Sequence, residues 1–160
     1  MRCVWISLAL MLAAASVSAQ GASAQTAEEN SKAGKKFLAS VAKEPGVVKL
    51  PSGVMYRIVS RSPNAGAQPT VADTVTIDYE GKLTTGQVFD SSYARHEPAA
   101  LPLGQLVSAW QQVIPLMHVG DEVILYTPPS EAYGDRDLSP DIPPDSTLIF
   151  RVHLIAIGGQ

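Results

Sequence analysis

The sequence predicts an α+β fold, with a curved antiparallel sheet of five to six strands wrapped around one short helix. Three observations lead there. Residues 75–83 alternate strictly, with Val75, Ile77, Tyr79 and Leu83 on one side and Thr76, Asp78, Glu80 and Lys82 on the other. That period of two belongs to a strand with one buried and one wet face. Beyond residue 70 only 105–114 has helical spacing, through Leu106, Trp110, Val113 and Met117. The β-prone runs follow one another over connections too short for parallel crossovers, so neighbours pair antiparallel and the apolar helix covers one sheet face.

The elements follow in order. Residues 1–24 read as a secretory signal peptide: Arg2 is a minimal positive start, 4–15 (VWISLALMLAAA) is a short apolar run, and small-residue cleavage sites follow at 17–19 and 22–24. The run is too short for a transmembrane helix, which needs about 20 apolar residues. The only cysteine, Cys3, lies inside it, so the mature chain is expected to carry no thiol, disulfide or cysteine-based metal site. Bacterial export to the periplasm is the expected route, with no membrane association once the signal is removed.

Residues 25–69 form a lead-in. A short helix is expected before Pro45, capped by Asn30 or Ser31, with Phe37, Leu38 and Val41 as a narrow apolar stripe. Isolated helices of this length are marginal in water, so it must dock, fray or act as a spacer. Residues 46–60 read as strand, turn and strand around Pro51-Ser52-Gly53, and 62–69 as a surface loop.

Residues 70–160 hold the main domain. After the strand at 75–83, Thr84-Thr85-Gly86-Gln87 is a turn in which Gly86 can take positive φ, and the chain returns through Val88-Phe89-Asp90. Asp90 breaks the apolar rhythm; it is either a turn cap or part of a site. A polar loop (93–98), a short strand (99–103) and the helix follow, and Pro115 ends that helix near Ile114. Residues 122–127 (EVILYT) form a strand stopped by Pro128-Pro129, 130–145 is a proline-punctuated loop, and 147–157 is the last strand, with Leu148, Phe150, Val152 and Leu154 on one face and Arg151 and His153 on the other.

A formal charge of −3 over 160 residues, 46% of them apolar, suits one globular domain with a short appendage and offers no basic footprint for nucleic acid. His96, His118 and His153 share no metal-ligand spacing. The aspartates at 135, 137 and 141 lack the glycine and glutamate of a calcium loop. No nucleophile elbow, phosphate loop or dinucleotide fingerprint is present, so neither a metal nor a cofactor is expected. What the sequence does supply is one aromatic from nearly every element: Tyr79, Phe89, Trp110, Tyr133 and Phe150. A plain core would account for them, but Asp90 and the Tyr133 hydroxyl bring polar groups into the same neighbourhood.

The run VTIDYEGKLTTGQVFDSS, the VSAW helix, MHVGDEV, EAYG and IPPDSTLIF together resemble the FKBP-type peptidyl-prolyl cis–trans isomerases, in unbroken order over about residues 70–157. The lead-in is similar to that of secreted bacterial members, many of which carry a longer N-terminal dimerisation region. Here that region is short, so a monomer is expected. The resemblance implies an isomerase acting on proline-containing unfolded or partly folded polypeptides, through an apolar cavity between sheet and helix. Tyr79, Phe89, Asp90, Tyr133 and Phe150 would carry the catalysis. Arg95, Leu101, Leu106, Val107, Trp110 and Ile142 would bind substrate, with Trp110 as the floor and Asp90 paired to Arg95 at the rim. The Tyr133 hydroxyl and the Ile142 N–H would hydrogen-bond the ligand. Ala99 and Leu101 stand where the family often has aromatics, and Ala109 replaces the glycine before the tryptophan. One wall should therefore be thinner and macrolide inhibitors weaker. The rival reading is a non-catalytic chaperone or peptide-binding module on the same fold.

Overall fold

The computed structural model describes residues 26–64, 66–136 and 141–158, so the expected signal segment lies outside the described residues. The chain enters through helix α1 (Ala27–Val41). Its cap is Thr26, earlier than the expected Asn30 or Ser31. The Thr26 hydroxyl accepts from the Glu29 N–H (3.3 Å), and the Glu29 carboxylate accepts from the Thr26 N–H (3.1 Å). This reciprocal box satisfies two donors that the helix start would otherwise leave open. Asn30 falls inside the first turn, its N–H bonded to the Thr26 carbonyl.

Strands β1 (Val47–Lys49) and β2 (Met55–Ser60) form the expected hairpin. Strand β3 (Thr74–Leu83) turns at Gly86, φ +92°, into β4 (Val88–Ser91). A single helical turn, α2 (Ser92–Arg95), replaces the start of the expected loop and leads to β5 (Ala99–Pro102). The expected 105–114 helix is shorter: α3 is Ser108–Val113, flanked by 3-10 turns at Leu103–Gln105 and Ile114–Leu116. Pro115 has no N–H to continue an α-helical ladder, and the chain tightens into the 3-10 turn around it. Strands β6 (Glu122–Thr127) and β7 (Leu148–Ile157) complete the sheet.

All pairings among the described residues are antiparallel, in the order β1-β2-β6-β7-β3-β4, and β5 shares the β3 edge with β4. The sheet has seven described strands where five to six are expected, and two of them, β4 and β5, share one edge of β3. β5 covers residues 74–77 of β3 and β4 covers 80–82, with α2 looping out between them.

One sheet face and α3 enclose the main core. Val75, Ile77, Val123, Leu125, Leu148, Phe150, Val152 and Leu154 come from the sheet; Ala109, Trp110 and Val113 from α3; Ile114 and Met117 from the chain just beyond it. The alternation predicted for β3 and β7 holds residue by residue in this core. Helix α1 docks on the opposite face. Val41 is buried with Met55 and Tyr126, and Phe37 packs its ring 6.1 Å from that of Tyr126. Gly34 lets the helix come close: a β-carbon there would lie 2.1 Å from Thr147 Oγ1. Of the three fates open to this helix, docking is the one observed. Among the described residues no helix is long and apolar enough to cross a membrane.

Candidate functional site: an aromatic pocket with a charged rim

The site begins with the register of β3. Gly81 stands opposite Phe150 of β7 on one side and Asp90 of β4 on the other. Lacking a side chain, Gly81 leaves room for two rings; a β-carbon would meet Phe89 Cζ at 2.6 Å and Phe150 Cε1 at 3.0 Å. The rings therefore close over the strand, edge to face, with centroids 5.9 Å apart. Trp110, carried on α3, rises between them and Tyr79. It makes T-shaped contacts with Phe150 at 5.2 Å and Tyr79 at 5.4 Å. Such pairings fix ring orientation beyond what area burial alone would do. Trp110 is only 4% exposed, and its Nε1 has no hydrogen-bond partner among the described residues.

Tyr79, Phe89, Asp90, Leu101, Leu106, Val107, Trp110, Tyr133 and Phe150 line one cavity of about 110 Å³. Of the expected site residues, Arg95 and Ile142 lie outside this lining. Arg95 stands behind the rim, and Ile142 is half-buried against the margin of the same core.

The rim is a connected polar unit. The Tyr79 hydroxyl donates to Asp90 Oδ2, and the Arg95 guanidinium donates to Asp90 Oδ1 and, at 3.0 Å, to the Tyr79 hydroxyl. The guanidinium also sits 5.6 Å from the Tyr79 ring centroid, within cation–π range. Helix α2 delivers Arg95 to this position. Ser91 caps it by accepting from the Ala94 N–H, and His96 ends it in the left-handed region, φ 55°. Ser92 repairs the gap between β4 and β5, accepting from the Tyr79 N–H at 2.9 Å and donating to Asp78 Oδ1 at 2.8 Å.

The electrostatics assign protonation states. Partial burial pushes the Asp90 carboxyl up, but the Tyr79 hydroxyl and Arg95 guanidinium more than offset this and hold it below the usual carboxylate range. Asp90 is thus an anion at neutral pH. Burial, together with the Asp90 charge, pushes both the Tyr79 and Tyr133 hydroxyls up, so both keep their protons. Tyr133 makes no hydrogen bond through its hydroxyl among the described residues, which leaves a donor at the cavity wall. Among the described residues no three His, Cys, Asp or Glu side chains converge as metal ligands would.

Several residues build the pocket without lining it and are not singled out by sequence alone. Gly81, Ser92 and Asp78 are the clearest. The serine pair after the strand end is a helix-cap signal, but it marks Ser91, and the bond from the Tyr79 N–H to Ser92 has no local signal. Gly81 has none, because its role depends on rings from two other strands.

The site is thus an aromatic-floored cavity with an ionised, hydrogen-bonded rim, carried on an antiparallel α+β domain. The model of the FKBP-type peptidyl-prolyl cis-trans isomerase family matches residues 66–155, and the chain belongs to that family. A second family model, the domain amino terminal to FKBP-type peptidyl-prolyl isomerase, matches residues 7–58. The chain is similar to the outer membrane protein MIP of Legionella longbeachae (40% identity; 82% of this chain, 55% of that protein). It is also similar to the FKBP-type 22 kDa peptidyl-prolyl cis-trans isomerase of Escherichia coli (42%; 78% of this chain, 59% of that protein). Among solved structures it resembles FkpA from Escherichia coli (TM-score 0.77, 36% identity, 82% of this chain, 61% of that one). A peptidyl-prolyl cis-trans isomerase from Pseudomonas syringae is also similar (TM-score 0.75, 29% identity, 82% of this chain, 96% of that one). The chain spans about half the length of the curated relatives it matches.

Proposed function

We propose that the protein is a peptidyl-prolyl cis–trans isomerase that binds X-Pro segments of unfolded or partly folded exported polypeptides. The observation that carries this reading is the edge-to-face set Tyr79–Trp110–Phe150–Phe89 beneath a rim whose titratable groups are fixed in one protonation state.

Rotation about a peptide bond breaks no covalent bond; its barrier of ~18–20 kcal/mol is lost amide resonance. X-Pro isomers differ little in energy yet exchange over tens of seconds or longer. A twisted amide is less dipolar than a planar one, so a dry aromatic cavity disfavours the planar states relative to it. An enzyme needs only to bind the twisted state better, and ~4 kcal/mol of difference gives about a thousandfold. The rings hold the proline, and Trp110 closes the floor. The Tyr133 hydroxyl and the Ile142 N–H hold the flanking carbonyls. Asp90, paired to Arg95 and Tyr79, fixes the wall without exchanging a proton.

Export through residues 1–24, periplasmic residence and a monomeric state complete the proposal. Leu101 and Ala99 leave one wall without an aromatic, which supports weak binding of macrolide inhibitors. A protease-free assay on an Ala-Leu-Pro-Phe-type peptide is the test. Acceleration at micromolar protein that falls strongly in Phe89→Ala and Tyr133→Phe supports the reading; no acceleration above the uncatalysed rate sinks it. Binding of unfolded clients that survives both substitutions would instead establish a non-catalytic peptide-binding module.

A further inference from the structure

Tyr133 belongs to the long connection between β6 and β7, and the pocket depends on its distance from Trp110, which belongs to α3. The two rings form no stacked pair, although Tyr133 packs against the core cluster that holds Trp110, so a directional link beside them bears on the spacing of wall and floor. The 3-10 turn Pro129–Glu131 ends two residues before Tyr133 and carries the link. Glu131 Oε2 accepts from the Ser108 hydroxyl at 2.6 Å and from the Gln112 side-chain amide at 2.8 Å. Ser108 and Gln112 are one helical turn apart on α3, bonded to each other at 3.0 Å, and they flank Trp110 in sequence. Gln112 Oε1 in turn accepts from the Ser52 hydroxyl at 2.6 Å, joining the β1–β2 turn to the same cluster. On the Tyr133 side the loop is stiff where it leaves the turn. The Gly134 N–H bonds the Pro129 carbonyl, the Asp145 N–H bonds the Gly134 carbonyl, and Arg136 Nε donates to the Tyr133 carbonyl.

From this geometry we propose that Glu131 is a positioning residue: its clamp on Ser108 and Gln112 sets the Tyr133 wall against the Trp110 floor, and so sets how tightly the X-Pro segment is held. The substrate named here rests on the isomerase reading above. Glu131 is half-buried and does not line the cavity. It therefore acts through the placement of Tyr133, and its signature is a change in substrate binding with little change in turnover. What the clamp uses is an acceptor oxygen. Glu131→Gln keeps one in its side-chain amide and should serve, whereas Glu131→Ala removes it.

The experiment compares the full chain with Glu131→Ala, Glu131→Gln and Gln112→Ala, measuring KM and kcat on the proline peptide and the unfolding midpoint. The peptide's dissociation constant is read independently from Trp110 fluorescence. Losing charge-assisted bonds of this kind should raise KM about three- to tenfold in Glu131→Ala, with kcat within about twofold. Glu131→Gln should restore KM to within about twofold of wild type, and Gln112→Ala should fall between. An unchanged KM in Glu131→Ala overturns the proposal. So does equal loss in Glu131→Ala and Glu131→Gln that follows a lowered unfolding midpoint, since that is a structural role only. If the unaltered protein binds the peptide without isomerising it, the isomerase reading fails alone, and the dissociation constants of the same variants decide the positioning role. If it neither binds nor isomerises, both fail.

Discussion

Gly81 lies beneath the Phe89 ring so closely that a β-carbon would stand 2.6 Å from Phe89 Cζ. The contact is with the far edge of a ring that also leans on Phe150, so neither ring can yield without disturbing the cavity. Gly81→Ala is expected to cost about 1–3 kcal/mol of stability, the usual range for overpacking. It should also lower peptide isomerisation more than a core substitution of equal cost away from the pocket. Denaturant unfolding and the peptide assay, run on both variants, check this.

The rim predicts a characteristic pH dependence. The folded-state pKa of Asp90 is held down, so its contribution to stability is present above the unfolded carboxyl value of about 3.9 and is lost as pH falls through the lower folded value. Activity should be flat between about pH 5 and 9, because Asp90 stays ionised and both tyrosines stay protonated across that range. A bell-shaped profile centred near neutrality would contradict the absence of proton transfer. Tyr79→Phe removes one of the bonds that lower the Asp90 value, so the acid limb of its activity profile should move to higher pH.

Asp121 offers a second carboxylate with a structural task. Its oxygens accept from the Ser62 N–H at 2.8 Å and the His118 N–H at 3.0 Å, and its side chain is 5% exposed. Burial pushes this carboxyl up, and the two backbone donors more than offset it, leaving the value lowered. Asp121→Ala strands both donors and should destabilise by about 1–3 kcal/mol per group left unsatisfied. Peptide KM should change little, since neither segment lines the cavity; urea titration with matched kinetics tests the pair of expectations.

On the opposite sheet face, Phe37→Ala should destabilise by about 1–3 kcal/mol, below the range for a fully buried ring because Phe37 is only half-buried. Turnover should be unaffected. Faster hydrogen exchange confined to α1, with β6 and β7 protected as before, would show the helix undocking by itself.

Much of this fold was legible because period-two patterning reports burial directly: β3, β6 and β7 sit where alternating or β-branched runs put them. The aromatic set was legible as residue types, and the resemblance supplied its arrangement. Local chemistry misled twice. Thr26 caps α1 ahead of Asn30 because Glu29 completes a box with it, and α3 is shortened by the 3-10 turns on either side. The split edge of β3, the bridge made by Ser92 and the Glu131 clamp were not legible at all. The last two join residues at least thirteen positions apart, and no local periodicity encodes such a meeting.

The pairing of β3 with β7 bears on assembly as well as shape. β3 must wait for a partner some seventy positions further along, and Phe150 reaches the pocket only on that last strand. Closing so long a loop is entropically costly and slow. The cavity therefore closes only once β7 has been made and has paired with β3. A nascent copy would have Trp110 without one of its two ring partners until β7 pairs, and ribosome-bound or truncated chains ending before residue 148 would lack the Phe150 wall of the cavity.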